Sequence, residues 1–311
     1  MTARVVFIDC NDQLRPVLDD VRREDDVAIS VNQQSFSSTD LPTLLDGCAI
    51  CIDDHSYMPT DIVAQCRDLR HVVFLGTGPQ SYMDVEALHR LGVTVHPIKG
   101  YGDTAVAEHA VALMFAAARD VARMDRDIRG GTWRPRGGVQ LKGKRLGVVG
   151  LGGIGAEVAR IANGIGMEVV AWNRTLRTDP PYRLVTLEEL LASSDVVSLH
   201  LALSDETRGF LDRARLSMMK GGAILINTAR GALVDEAALV EALNDGHLAS
   251  AGLDVFALEP LRADHPLAKL DRVTLSAHAG FRTYEASATL LRRALDITRR
   301  LVARDRSCDR G

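Results

Sequence analysis

From Leu146 to Ala159 the chain runs through a short apolar stretch, a glycine-rich turn and a helix-compatible segment, with Gly150, Gly152 and Gly155 in G-x-G-x-x-G spacing. Few folds accept that order. Gly150 permits a tight turn, Gly152 lets the backbone approach a pyrophosphate, and Gly155 lets the helix pack closely on the strand before it. Unpaired amides at the helix start then meet phosphate oxygens at the positive end of the helix dipole. With a strand on one side and a helix on the other, the motif predicts a dinucleotide site on Gly150, Gly152, Gly153, Ile154 and Gly155.

A chain of 311 residues exceeds the usual size of one domain. Upstream of the glycine turn, apolar runs at Val5–Ile8, Val27–Val31, Ala49–Ile52, Val72–Leu75 and Val93–Val95 alternate with polar, helix-compatible stretches. That rhythm predicts parallel strands with crossover helices. The fourth run ends in Gly76-Thr77-Gly78, a glycine loop at a strand's carboxyl end, where amides could hold a small anion or simply turn the chain. Downstream, strands are expected at 168–172, 195–200, 223–227 and 250–254, and a capping box at Thr186-Leu187-Glu188-Glu189 opens a short helix. The expected class is α/β, with two doubly wound parallel-sheet domains: a flavodoxin-like substrate domain and a Rossmann cofactor domain. The substrate domain comprises residues 1–99 and 284–311, and the dinucleotide domain residues 100–283.

A single long helix is expected from Thr104 to about Ile128, capped by Asp103 or Thr104 and closed by Gly130-Gly131. Its middle, Ala110 to Ala118, is apolar nearly all round, so it belongs in a core or against a second subunit. His109 within it reads as a satisfied core histidine. The strand after the glycine turn ends at Asn173-Arg174-Thr175, where an NAD site would carry an acid for the ribose hydroxyls. Asn173 in that place, with Arg174 beside it and Arg177 nearby, points to NADP over NAD.

Composition narrows the partners. A net charge of −4 gives no electrostatic reason for nucleic acid or an anionic membrane as partner. No apolar run spans a bilayer and the amino terminus reads as a first strand, so a cytoplasmic protein is expected. Cys48 and Cys51 have C-x-x-C spacing but lie in a strand with no second ligand pair, which predicts buried thiols and no metal. The basic pairs Arg292-Arg293 and Arg299-Arg300 in the amphipathic tail read as a solvated helix face.

Polar residues collect at three expected strand ends: Thr228-Ala229-Arg230-Gly231, Asp254 with Glu259, and Ser276-Ala277-His278-Ala279-Gly280. Together with Gly76-Thr77-Gly78, Val106-Ala107-Glu108-His109 and the glycine turn, they resemble the D-isomer-specific 2-hydroxyacid dehydrogenase family over nearly the whole chain. The resemblance implies reversible reduction of a small 2-oxo acid to a D-2-hydroxy acid by a nicotinamide cofactor. It implies that Arg230 pairs with the substrate carboxylate, and that His278 gives a proton to the carbonyl oxygen. Glu259 would hold His278 and favour its protonated form. Gly76, Thr77 and Gly78 would complete carboxylate binding, while Asp254 would lie near the nicotinamide. Cofactor contacts are further expected from Thr77, Thr104, Asn173, Arg174, Thr175, Thr228, Ala229, His278 and Gly280.

Within the family, glyoxylate or hydroxypyruvate reduction competes with 3-phosphoglycerate oxidation, and dinucleotide-sensing corepressors of the same fold offer a non-enzymatic alternative. Lys99 stands where the family commonly has proline; it is either an exposed lysine or a contact for a second anionic group. Glu259 argues against formate dehydrogenase, which pairs its histidine with glutamine. No regulatory domain is expected after the tail helix. Closure of two domains over the substrate, and a homodimer, complete the expectation.

Overall fold

Five parallel strands form one sheet and seven parallel strands another in the computed structural model, which describes residues 4–175 and 182–308. The chain divides into two compact units, Met1–Gly102 with Thr283–Gly311, and Asp103–Arg282.

The first unit contains β1 (Arg4–Phe7), α1 (Leu14–Val21), β2 (Ser30–Val31), α2 (Leu41–Leu44), β3 (Cys48–Asp53), α3 (Thr60–Val63), β4 (His71–Phe74), α4 (Val85–Arg90) and β5 (Thr94–Pro97), with the C-terminal helix Tyr284–Cys308. Strand order is β2-β1-β3-β4-β5. Strand side chains alternate between faces, so an apolar run fills two cores at once. Val5, Phe7, Ile50, Ile52 and Val73 pack against Leu290, Leu291, Ala294 and Leu295 of the C-terminal helix. Val6, Cys51, Val72 and Phe74 meet Leu41, Met58 and Leu88 on the other side. Cys10, Cys48, Cys51 and Cys66 are buried free thiols. Only Ser30 and Val31 of the run expected at 27–31 pair as a strand, at the sheet's edge where one neighbour alone supplies hydrogen bonds.

The second unit contains α5 (Asp103–Arg119), α6 (Val121–Arg129), β6 (Arg145–Val149), α7 (Gly153–Gly164), β7 (Glu168–Trp172), β8 (Arg183–Leu184), α8 (Leu187–Ser193), β9 (Val196–Leu199), α9 (Arg213–Met218), β10 (Ala223–Asn227), α10 (Glu236–Asn244), β11 (Leu248–Leu253), α11 (Pro266–Lys269) and β12 (Val273–Leu275). Strand order is β12-β11-β10-β9-β6-β7-β8, so the winding reverses between β6 and β9. In open sheets of this kind the ligand crevice lies outside the carboxyl ends at that reversal. Gly155 is fixed by sterics: a Cβ there would lie 1.9 Å from the Gly150 carbonyl oxygen, so any side chain would push α7 off its strand.

The one long helix expected from Thr104 to Ile128 is instead two. Asp120 adopts a left-handed backbone, φ 54°, between α5 and α6. The returning segment explains the break. Val139 N donates to the Ala118 carbonyl at 2.8 Å, taking an acceptor at the end of α5, and Arg136 pairs with both Asp120 and Asp127. The apolar middle of α5 is used within its own unit, where Ala107, Ala110, Leu113 and Met114 pack with Ile224, Ile226, Val158 and Ala159. Among the described residues no helix is long and apolar enough to cross a membrane.

Candidate active site

The polar residues that interrupt the apolar pattern fall at neighbouring carboxyl ends of β10, β11 and β12. Asn227 ends β10 and folds the next residues back on themselves: its side chain accepts from Ala229 N at 3.0 Å and donates to the Arg230 carbonyl at 2.9 Å. Arg230 is thereby presented on a rigid turn, half-buried, with Nη1 2.7 Å from the Ala229 carbonyl. Gly231 lets that turn touch the loop after β11. A Cβ at Gly231 would fall 1.9 Å from the Phe256 carbonyl carbon.

On the loop after β11, Glu259 Oε1 accepts from Phe256 N at 2.9 Å and Oε2 lies 2.7 Å from His278 Nδ1. A carboxylate can only accept, so the shared proton sits on Nδ1 and the ring's other nitrogen, Nε2, is left for a reactant. Burial alone would raise the Glu259 carboxyl. The bond from His278, the Phe256 amide and the nearby Arg230 charge outweigh burial and hold it below its ordinary value. Arg230, Glu259 and His278 thus come from three loops to one place.

His278 itself has φ 49°, a left-handed backbone that a residue with a side chain rarely adopts. Its loop is held there by Asp254, whose carboxylate is almost fully buried. Asp254 Oδ1 accepts from Ser276 Oγ at 2.6 Å and Ala279 N at 2.9 Å, and Oδ2 accepts from Gly280 N at 2.9 Å. His109 Nε2 lies 2.8 Å from Ser276 Oγ and 3.3 Å from Asp254 Oδ1. Since the serine hydrogen points to Asp254, the histidine proton must point to the serine. Burial pushes the Asp254 carboxyl up, but these donors together hold it well below the carboxylate range. His109, expected as a core histidine, and Ser276 are therefore part of this network. The link between them is not legible in sequence, because His109 and Ser276 lie 167 residues apart.

The glycine turn lies in the same unit, between β6 and α7. Space around Gly152 is open, whereas the Asp103 carboxylate packs directly over Gly153. Asn173 accepts from Leu151 N at 3.2 Å and donates to the Thr175 carbonyl at 2.7 Å, tying the end of β7 to the turn. Arg174 is exposed and paired with Glu206 at 2.7 Å, Thr175 is exposed, and Arg177 lies outside the described residues. Thr104 is in the first turn of α5, one residue from Asp103. Thr228 Oγ1, at the end of β10, is buried without a hydrogen-bond partner among the described residues, and Ala229 follows it half-buried. His200, at the end of β9 beside the turn, is pushed down to about 4 by burial and is neutral. An open glycine cradle, a waiting hydroxyl and a neutral imidazole fit a dinucleotide. Gly76, Thr77 and Gly78 belong to the first unit, directly after β4, with Gly76 buried and Thr77 exposed.

A parallel sheet with this turn at its reversal, and an acid–base pair with a guanidinium at its strand ends, defines a nicotinamide-dependent oxidoreductase. Residues 111–280 match the model of the D-isomer specific 2-hydroxyacid dehydrogenase NAD binding domain. A glyoxylate reductase of Aeropyrum pernix is 42% identical over 258 residues, covering 78% of this chain and 75% of that protein. A glycerate dehydrogenase of Methylorubrum extorquens is 33% identical over 97% of both chains. Among solved structures, a glyoxylate reductase from Paecilomyes thermophila superposes with TM-score 0.84 at 30% identity, covering 97% of this chain and 96% of that one. The chain belongs to the D-isomer specific 2-hydroxyacid dehydrogenase family.

A depressed carboxyl stabilises the fold above the pH at which the unfolded chain ionises, and that contribution is lost as pH falls toward the folded value. Replacing Asp254 by Asn should therefore cost on the order of 2 kcal/mol near neutrality. Denaturant melts at several pH values should show the gap between wild type and Asp254→Asn widest above pH 3.8, the ordinary value for the group, and narrowing below it. A gap independent of pH would remove the charge from the explanation.

Proposed function

We propose that the protein reduces a small 2-oxo acid, of the glyoxylate and hydroxypyruvate class, to the corresponding D-2-hydroxy acid. The observation that carries this reading is the His278–Glu259 pair at 2.7 Å, with a guanidinium near enough to lower the glutamate. Arg230 takes the substrate carboxylate in its planar fork and draws electron density from the adjacent carbonyl. His278 donates its Nε2 proton to the carbonyl oxygen and removes it in the reverse reaction. Glu259 keeps the ring in one tautomer and balances its charge. When bound, the nicotinamide dinucleotide supplies or accepts the hydride. Gly150, Gly152, Gly153, Ile154 and Gly155 hold its pyrophosphate. Thr228 offers an unused hydroxyl close to the reacting end. The names of relatives, glyoxylate reductase and glycerate dehydrogenase, support a substrate of this size. Four buried free thiols suit a reducing, cytoplasmic setting.

NADP is favoured over NAD in this reading, because β7 ends in Asn173 and Arg174 where an acid would repel a 2′-phosphate. The Arg174–Glu206 pair does not oppose this. Both side chains are more than 70% exposed, and such pairs are worth at most about 1 kcal/mol. The homodimer belongs to the same reading, on altered grounds: the apolar middle of α5 is used internally, but Phe115, Val121, Ile128 and Val139 leave apolar surface exposed and Trp133 is 83% exposed.

Three measurements test the proposal. His278→Ala should lose about 10²- to 10⁴-fold in turnover of glyoxylate with cofactor affinity kept; unchanged turnover would overturn the acid–base role. Arg174→Ala should lower kcat/KM for NADPH by about tenfold and leave NADH nearly unaffected, since a charge-assisted bond to phosphate is worth roughly 1.5–3 kcal/mol. Equal losses with both cofactors would discard the NADP assignment. In sedimentation velocity the wild type should run as a dimer and Trp133→Glu as a monomer; a wild-type monomer would refute the dimer.

A further inference from the structure

The first unit has a reversal of its own. The chain leaves β1 for β2 on one side and then crosses to β3 on the other, so the order β2-β1-β3 places a switch point between β1 and β3. Open parallel sheets bind ligands at the carboxyl side of such a point, because the crossovers diverge there and leave a crevice. A cavity of about 460 Å³ lies there, within the size range of small-molecule sites. Asp9 and Asn11 line it from the end of β1, Asn32 and Phe36 from the loop after β2, and Ser56 and Tyr57 from the loop after β3. All six belong to the first unit, and none has a role in the proposed reaction.

The polar frame of this cavity spends its donors on itself. Asp9 Oδ1 accepts from Asp54 N at 2.8 Å, and Oδ2 accepts from His55 N at 3.0 Å and Ser56 Oγ at 2.7 Å. Asn32 gives its amide hydrogens to the Ile8 carbonyl at 2.7 Å and the Gln34 carbonyl at 2.9 Å. A carboxylate has about four acceptor positions, so three bonds leave Asp9 one of them together with its charge. Neighbouring charges are matched elsewhere: Arg15 pairs with Asp19 at 2.9 Å and His55 with Asp54 at 2.9 Å. Asp53, fully buried at the end of β3, is pushed up by burial and by the Asp9 charge, which favours its neutral form. No lysine, arginine or histidine lines the cavity, and Asp9 has no ion-pair partner among the described residues. Phe36 is packed partly into the core, while Tyr57 is 64% exposed. A carboxylate beside aromatic rings attracts a cation and repels the anions proposed as substrates. Among the described residues no group of three or more acidic, histidine or cysteine side chains could hold a metal, so the cation is an organic one. We propose that this cavity binds a small organic ammonium ion, its charge matched by Asp9 and its carbon substituents laid against Tyr57 and Phe36.

The test uses the full chain and a probe with neither carboxylate nor phosphate, which Arg230 and the glycine turn cannot hold. Calorimetric titration with choline at low salt should show one site per chain, and dimethylbutanol, its uncharged carbon isostere, should bind about tenfold more weakly or worse. Asp9→Asn should weaken choline about tenfold or more, and Tyr57→Leu about threefold. The control Asp61→Asn, which removes an exposed acid from α3 of the same unit, should bind as wild type. Asp9 also ties down the loop after β3, so Tyr57→Leu, at an exposed position, decides should Asp9→Asn fail to fold. A wild type that binds no choline, equal affinity for the alcohol, full affinity in Tyr57→Leu, or an equal loss in Asp61→Asn overturns the proposal. Binding is read apart from turnover, so the result holds whichever substrate the enzyme reduces.

Discussion

The Asp254 carboxylate is the charge around which the loops of the second unit arrange themselves, because a buried anion is tolerable only where donors surround it. Its donors come from the loop that holds Ser276, Ala279 and Gly280, and from His109 on α5. The backbone joins in: Asp254 N donates to the Asn227 carbonyl, and His278 N donates to the Asp254 carbonyl at 2.8 Å. One residue therefore links the ends of β10, β11 and β12 to the long helix that covers them. It also explains how His278 stays at a positive φ. The strain of that conformation, of order 1–3 kcal/mol, is offset by hydrogen bonds to the carboxylate from the Ser276 hydroxyl before it and the Ala279 and Gly280 amides after it.

Two carboxylates a few residues apart thus do different work through different exposure. Asp254 is sealed and fully bonded, so it acts as a fixed frame. Glu259 keeps about a third of its side chain in solvent and meets one titratable ring. In the proposed reaction the group beside the proton donor needs that access, since a sealed ion pair would resist any change of charge. Frame and responder are both required. Without the frame the imidazole has no fixed position, and without Glu259 it has no fixed tautomer.

Much of this was legible in sequence because it is written in local spacing. Apolar runs of four or five residues mark buried parallel strands, and the glycine turn fixes where one of them meets its helix. Arg230, Glu259 and His278 were visible as polar residues at strand ends. What escaped was non-local. The break at Asp120 depends on Val139 and Arg136 returning to the helix end, which no periodicity within α5 records. β8, only Arg183–Leu184, is too short to carry an alternation signal and forms because β7 offers it an edge. His109 looked like a core residue since an amphipathic pattern reports that a position is inward, not what polar group waits there.

The same limit governs charge. Arg292-Arg293 and Arg299-Arg300 are indistinguishable as letters, and a solvated face was the natural reading. Burial of Asp26 beneath Arg292 shows that one side of the helix is an ion-paired seam between the tail and the segment after α1. Such a seam consumes the arginines that a net-charge argument would count as free. A helix placed to seal a hydrophobic core therefore also carries an ion-paired edge that holds it in register on its unit. Helical pitch and the positions of Asp25 and Asp26 decide which arginines join that edge.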